Sequence, residues 1–249
     1  MSTRTQYEAD LAALKGSLAK MSQLSADAVE DALEALCTAD AEEAKGIIKG
    51  DTEVNRMERD IEHRCMTLLL RQQPVAGDLR FISAAMKVVT DVERIGDHAA
   101  DIAEIVPHLA GVRKAGDPAV SRSIEMGRKA HKMLQDAMSA FAAEDEAAAK
   151  AVIDADDAVD YDFNTIKRML AAEIAARRVI AADDAVDYDF NAIKHQLAQE
   201  IAEDPGKVDA ALDLLMVIKY LERIGDHAVN VAEWVQFVRT GRYKDESMF

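Results

Sequence analysis

The stretch ERIGDHA occurs twice without change, at residues 93–99 and at 222–228. At about 100° per residue, Glu93, Asp97, Asp101 and Glu104 fall on one face of a helix. Ile95, Ala99, Ile102 and Val106 fall within a narrow apolar stripe on the opposite face. The second copy sets Glu222, Asp226, Asn230 and Glu233 against Ile224, Ala228, Val231 and Val235. Carboxylates at i, i+4 and i+8 stack into a column whose members repel one another by a few tenths of a kcal/mol per pair. Such a column offers hard cations the oxygen ligands they take. The alternative is a solvated acidic face with Arg94 and Arg223 as neighbouring counter-charges. His98 and His227 could act as outer ligands, though a histidine beside aspartate is equally a hydrogen-bonded surface group. Gly96 and Gly225 lie inside the same helices, where glycine costs about 1 kcal/mol relative to alanine. Their placement predicts close approach by another backbone or helix at both points.

The elements that must carry these residues are helical throughout. Four prolines (Pro74, Pro107, Pro118 and Pro205) mark helix ends or first turns, because proline lacks a backbone donor and clashes inside a helix. Between them apolar residues recur at helical spacing, as in Leu11, Leu14, Leu18, Met21, Leu24 and Ala28. The spacing predicts helices over 5–37, 40–72, 78–110, 118–142, 145–203 and 205–240, with a Gly/Pro linker around 111–118. Residues 39–54 run parallel to 144–159, with Lys45 over Lys150 and Ile48 over Ile153. The expected fold is all-α, two tandem three-helix bundles with their own cores, over 1–112 and 117–249. The heptapeptide is doubled because the domain is doubled.

A shorter repeat does not fit that scheme. VIDADDAVDYDFNTIKRMLAAEIA (152–175) returns at 179–202 with five of 24 positions changed, at an offset of 27 residues. That offset is about seven and a half helical turns, so one straight helix would put the two apolar stripes on opposite sides. A helix over 145–203 would also exceed about 85 Å. The junction AARRVIAAD holds neither Gly nor Pro. The second bundle is therefore expected to have an extended or duplicated middle helix, which projects, folds back or pairs with another subunit. A tandem duplication is the simplest origin.

Charge and composition exclude several classes. The chain carries 46 Asp and Glu against 30 Lys and Arg, a net charge of −16, which disfavours nucleic acid and polybasic membrane attachment. Its N-terminus lacks the apolar core of a signal peptide, and no apolar run reaches the roughly 20 residues of a spanning helix. Cys37 and Cys65 have no CxxC spacing, so a thiol zinc site is not implied and reduced cytoplasmic thiols are expected. A di-iron carboxylate enzyme would need two Glu-x-x-His motifs. The nearest feature is a single Asp60-x-x-His63. No glycine-rich phosphate loop is present.

Two longer stretches, LLLRQQPVAGDLRFISAAMKVVTDVERIGDHAADIAE (68–104) and EDPGKVDAALDLLMVIKYLERIGDHAVNVAEWVQFVRTG (203–241), resemble the PhoU family of phosphate-specific transport system accessory proteins. The resemblance covers nearly the whole chain except the extra 27-residue copy. It implies two three-helix bundles, a homodimer, and no enzymatic activity. It also implies cytoplasmic negative regulation of the phosphate-starvation response. The partners implied are the phosphate transporter ATPase subunit and the phosphate sensor histidine kinase, with membrane contact only through them. Some members hold multinuclear iron or zinc, or divalent ions such as magnesium or manganese, through E/DxxxD motifs. That pattern maps onto Glu93, Asp97 and Asp101, and onto Glu222, Asp226 and Asn230, where the amide is the weaker ligand. Asp27 and Asp31 offer a second column in the first half; their counterparts Lys132 and Asp136 are depleted. The alternative function is a helical metal-binding scaffold or buffer without a signalling role.

Overall fold

Three acidic caps fix where the helices begin. Asp40 accepts backbone N–H bonds from Glu42 and Glu43 at 2.8 and 3.1 Å. Asp117 accepts from Ala119 at 2.8 Å, with Pro118 in the first turn, and Asp145 accepts from Ala147 and Ala148. Each carboxylate satisfies amides that have no partner within the helix. In the computed structural model, which describes residues 3–113, 116–176, 205–244 and 246–247, six helices result. They are α1 (Thr3–Thr38), α2 (Ala41–Gln72), α3 (Ala76–Leu109), α4 (Pro118–Ala143), α5 (Glu146–Ala176) and α6 (Pro205–Thr240). Gln73 and Glu144, both left-handed, turn the chain after α2 and α4. Pro107 sits in the last turn of α3, which ends two residues later.

Helices α1, α2 and α3 pack on one another, as do α4, α5 and α6. The two bundles also share two seams, α3 against α6 and α1 against α4. The buried side chains consequently form one continuous core from Leu14 to Val238, where the sequence suggested a core for each half. The seam is tight at Gly127: a Cβ there would lie 2.3 Å from Leu33 Cδ2 and 3.1 Å from Leu221 Cδ2. Only glycine lets α1, α4 and α6 meet this closely.

The helix expected over 145–203 is present to Ala176. Residues 177–204, which hold the second copy of the repeat, lie outside the described residues. α6 ends at Thr240 as expected, and beyond it lies a short antiparallel ribbon that the sequence reading did not predict, β1 (Arg242–Tyr243) with β2 (Glu246–Ser247). Tyr243 stacks on Trp234 at 4.1 Å between ring centroids, which folds the ribbon back on α6. Among the described residues, no helix is long and apolar enough to cross a membrane.

Candidate functional site

The acids of the α3 column differ in exposure: Glu104 is exposed, whereas Glu93, Asp97 and Asp101 are half-buried. The Glu93 side chain is only 14% exposed. Across from it, α2 contributes Asp51, Asn55 and Glu58, which the sequence reading did not single out. Gly96 explains why α2 comes so near: a Cβ there would lie 3.1 Å from Val54 Cγ1 and 3.5 Å from Asp51 Oδ1. The close approach predicted from the two glycines is seen again at Gly225. A Cβ there would be 3.2 Å from Asp156 Oδ1 and 3.4 Å from Val159 Cγ1. Each ERIGDHA helix thus meets an acid-bearing helix, α2 in the first bundle and α5 in the second.

Crowding of like charges shows in the proton affinities. Burial pushes Glu93 up to about 7, with Asp97, Glu58 and Asp51 adding to the shift and Arg94 opposing it. Burial and then Asp97 raise Asp51, while the amide of Asn55, donating to it at 2.7 Å, works the other way. Burial and then Glu62 raise Glu58. Asp97 is held by Arg94 at 2.9 Å. Two oxygens here, Asp51 Oδ1 and Asn55 Oδ1, are buried without a hydrogen-bond partner. A buried acceptor left so costs about 1–3 kcal/mol, which a bound cation would relieve.

Asp27 and Asp31 of α1 join Glu43 and Asp51 in lining a groove of about 490 Å³ that ends at Gly96. Burial, followed by Asp27, Glu30 and Glu34, raises Asp31. The predicted α1 column therefore meets the α3 column through Asp51. In the second bundle the counterpart Lys132 closes on Asp136 at 2.8 Å.

The second site has the same skeleton and different neighbours. Burial pushes Asp156 up to about 6, with Asp160 and Asp226 next in effect. Burial and then Glu222 raise both Asp160 and Asp226. Lys219 forms an ion pair with Glu222, and Arg223 lies 4.0 Å from Asp226. Phe163 stands where the 105-residue offset places Glu58, and Lys219 and Lys167 sit 5.4 and 5.6 Å from its ring centroid.

Asp101 and Asn230 are engaged at the α3–α6 seam. Asp101 pairs with His98 Nδ1 at 3.3 Å, and Asn230 donates to Asp91 at 3.0 Å. Asp91 also pairs with His227 Nδ1 at 2.8 Å. The His98 ring packs on Tyr220 and His227 at centroid distances of 5.4 and 5.7 Å. Burial holds His98 below the usual histidine range against the pull of Asp101. The histidines knit the two bundles together.

Among the described residues no three His, Cys, Asp or Glu side chains already converge on one ion. The donor set in the first bundle is nonetheless all oxygen and suits magnesium, manganese or iron, with zinc also accepting carboxylates. Neither thiol joins it, Cys37 being exposed and Cys65 buried in the core. The parallel between 39–54 and 144–159 aligned Asp51 with Asp156, the one sequence signal that could have located the facing acids.

Comparison with known proteins bears on this architecture. The chain matches the PhoU domain over residues 18–106, 124–176 and 172–235. A protein of Clostridium acetobutylicum, "Phosphate-specific transport system accessory protein PhoU homolog", is 34% identical over 98% of each chain. A homolog of the same description from Pseudomonas aeruginosa is 33% identical over 95% of this chain and 86% of its own. The crystal structure of PhoU from Pseudomonas aeruginosa superposes with a TM-score of 0.77 at 31% identity, covering 95% of this chain and all of that one. The phosphate transport system regulatory protein PhoU from Streptococcus pneumoniae gives 0.77 at 25%, covering 96% and 100%.

Proposed function

This chain belongs to the PhoU family, and from that premise we propose that it is an accessory protein of a phosphate-specific transport system. Its role is negative regulation of the phosphate-starvation response, by linking the transporter ATPase subunit to a sensor histidine kinase in the cytoplasm. The observation that carries this reading is the end-to-end match to relatives so named. Nothing in the role requires bond-making. A regulator of this kind shifts an equilibrium by binding one state of a partner better than another. The exposed apolar corner between α2 and α3, where Leu70 is 77% and Val75 75% exposed, supplies surface for such binding. The proposed working form is a homodimer.

The first-bundle carboxylates are proposed to hold a divalent or multinuclear metal that draws Asp51, Glu93 and Asp97 together. The two partnerless oxygens support that assignment. The deciding experiment is co-purification of the chain with the ATPase and the kinase, at high and at low phosphate. Retention of both partners, stronger at high phosphate, is expected. Loss of both, with metal still bound, would move the reading to a metal-binding scaffold.

A further inference from the structure

Helix α2 has two faces, and the fold buries one. Met57, Ile61, Cys65 and Leu68 are buried where α2 packs on α1 and α3. On the opposite side Arg59, His63, Met66 and Leu70 recur at steps of four, three and four residues. Those steps keep them within about 60° of one another around the helix. All four are exposed, Met66 at 45% and Leu70 at 77%. The left-handed Gln73 then turns the chain, and Val75 stands 75% exposed just past the helix end.

The charge around this patch departs from that of the whole chain. Residues 63–77 contain no Asp or Glu, in a chain that has 46 of them. Arg59, Arg64 and Arg71 are exposed, and among the described residues none of the three forms an ion pair. Of the acids near the stripe, Asp60 is held by Arg56 at 2.9 Å and Glu62 is half-buried. An apolar centre with a charged rim is the anatomy of a protein-binding surface. There, buried apolar side chains supply most of the affinity and arginine–carboxylate pairs fix the register.

Two other occupants fit less well. The side chains of Leu70 and Val75 carry about half the carbon of one myristoyl chain, which by itself binds a membrane only marginally. Three arginines also fall short of the roughly four to eight basic residues of an anionic-lipid site. A second copy of α2 matches no better. Antiparallel pairing about a two-fold axis sets Leu70 against Arg59 and Met66 against His63, and parallel pairing sets arginine against arginine.

We propose that this face of α2 docks a helix of a partner protein. That helix presents apolar side chains to Met66, Leu70 and Val75, and carboxylates to Arg59, Arg64 and Arg71. The inference rests on the regulatory role proposed above and states the chemistry that the ATPase subunit or the kinase supplies.

The test titrates the full chain with the purified ATPase subunit and with the purified kinase, each read by calorimetry. Leu70→Gln with Val75→Gln is expected to weaken one of the two complexes by about 30-fold or more. Arg64→Glu with Arg71→Glu is expected to weaken the same complex about tenfold, and Arg64→Lys with Arg71→Lys by much less. All three variants are expected to keep Tm within about 3 °C of the parent, because the positions are exposed. Raising salt from about 50 to about 500 mM is expected to weaken the parent complex more than that of the glutamate variant. The proposal is overturned if both partners bind every variant as they bind the parent, a result that leaves the regulatory reading standing. It falls together with that reading if the parent binds neither partner. Parent binding to phosphatidylserine vesicles that the same substitutions abolish would make a membrane the occupant. A parent dimer that they dissociate would make it a second copy, and either result overturns the proposal.

Discussion

In the first bundle Glu93 faces Asp51, Asn55 and Glu58, and Thr90 stands one turn before it. In the second, Glu222 has Lys219 at the place of Thr90, and Phe163 at the place of Glu58. The same heptapeptide thus contributes to two crowded sites of different charge: each has its own arginine, Arg94 beside Asp97 and Arg223 beside Asp226, and the second adds Lys219 paired with Glu222. A built-in ammonium competes with any metal for the oxygens it pairs with. The sequence comparison located the weakness of the second site at Asn230. In the structure Asn230 is bonded to Asp91 across the seam, and Lys219 is the cation that pairs with Glu222.

The comparison is broken most directly by removing ligands. Asp51→Asn with Glu93→Gln is expected to weaken manganese binding, read by calorimetry, by about 100-fold. Asp156→Asn with Glu222→Gln is expected to change that binding by less than about threefold. Equal losses from the two pairs would erase the distinction between the bundles.

The halves also differ where they touch. The 105-residue offset places Ser22 of α1 opposite Gly127 of α4 in the internal alignment, yet only Gly127 meets Leu33 at a distance no side chain accommodates. Gly127→Ala is expected to cost about 2 kcal/mol in thermal or urea unfolding, because the buried Leu33 and Leu221 side chains, or the helices that carry them, must shift. A neutral result would mean that the seam is looser than the packing indicates.

Exchanging the cation sharpens the electrostatic contrast. Thr90→Lys, which sets an ammonium three residues before Glu93, is expected to weaken first-bundle manganese binding about tenfold. Lys219→Ala is expected to strengthen binding in the second bundle by a similar factor. Titrating both variants against the parent decides the point.

The smallest effect is a pH dependence with a different window in each bundle. Glu93 moves from an ordinary 4.5 to about 7 on folding, so between those values the folded state holds more protons than the unfolded one. Its contribution to stability is then fully present below about 4.5 and is lost as pH rises through about 7. Asp156, moving from 3.8 to about 6, loses its contribution about a unit lower. Metal-free protein is expected to gain a few degrees of Tm on going from pH 8 to pH 5.5. Glu93→Gln should flatten that rise near neutrality, and Asp156→Asn should flatten it only at lower pH. Identical profiles would show that the two sites are equally crowded.

Much of the fold was legible because its signals are local. Asp40, Asp117 and Asp145 each cap a helix whose start lay within a few residues of the predicted one, since a capping carboxylate acts on amides two or three residues away. The apolar stripe Ile95, Ala99, Ile102 and Val106 is buried as read. The C-terminal ribbon was missed because two-residue strands carry no periodicity to detect. Half of each candidate site was also missed. Asp51, Asn55 and Glu58 follow one another at helical spacing, but nothing along the chain says which helix they face.

The sequence alone determined that the chain is helical, that its architecture is doubled, and that each half carries an acid column beside an interior glycine. Those properties depend on neighbours within one or two helical turns, where spacing converts directly into a face. Only the tertiary structure decided which columns meet, that Asp101 and Asn230 serve the seam, and that the two cores merge into one. The physical reason is that desolvation and charge pairing act across helices, where a few ångströms of approach separate a solvated carboxylate from one held near neutrality.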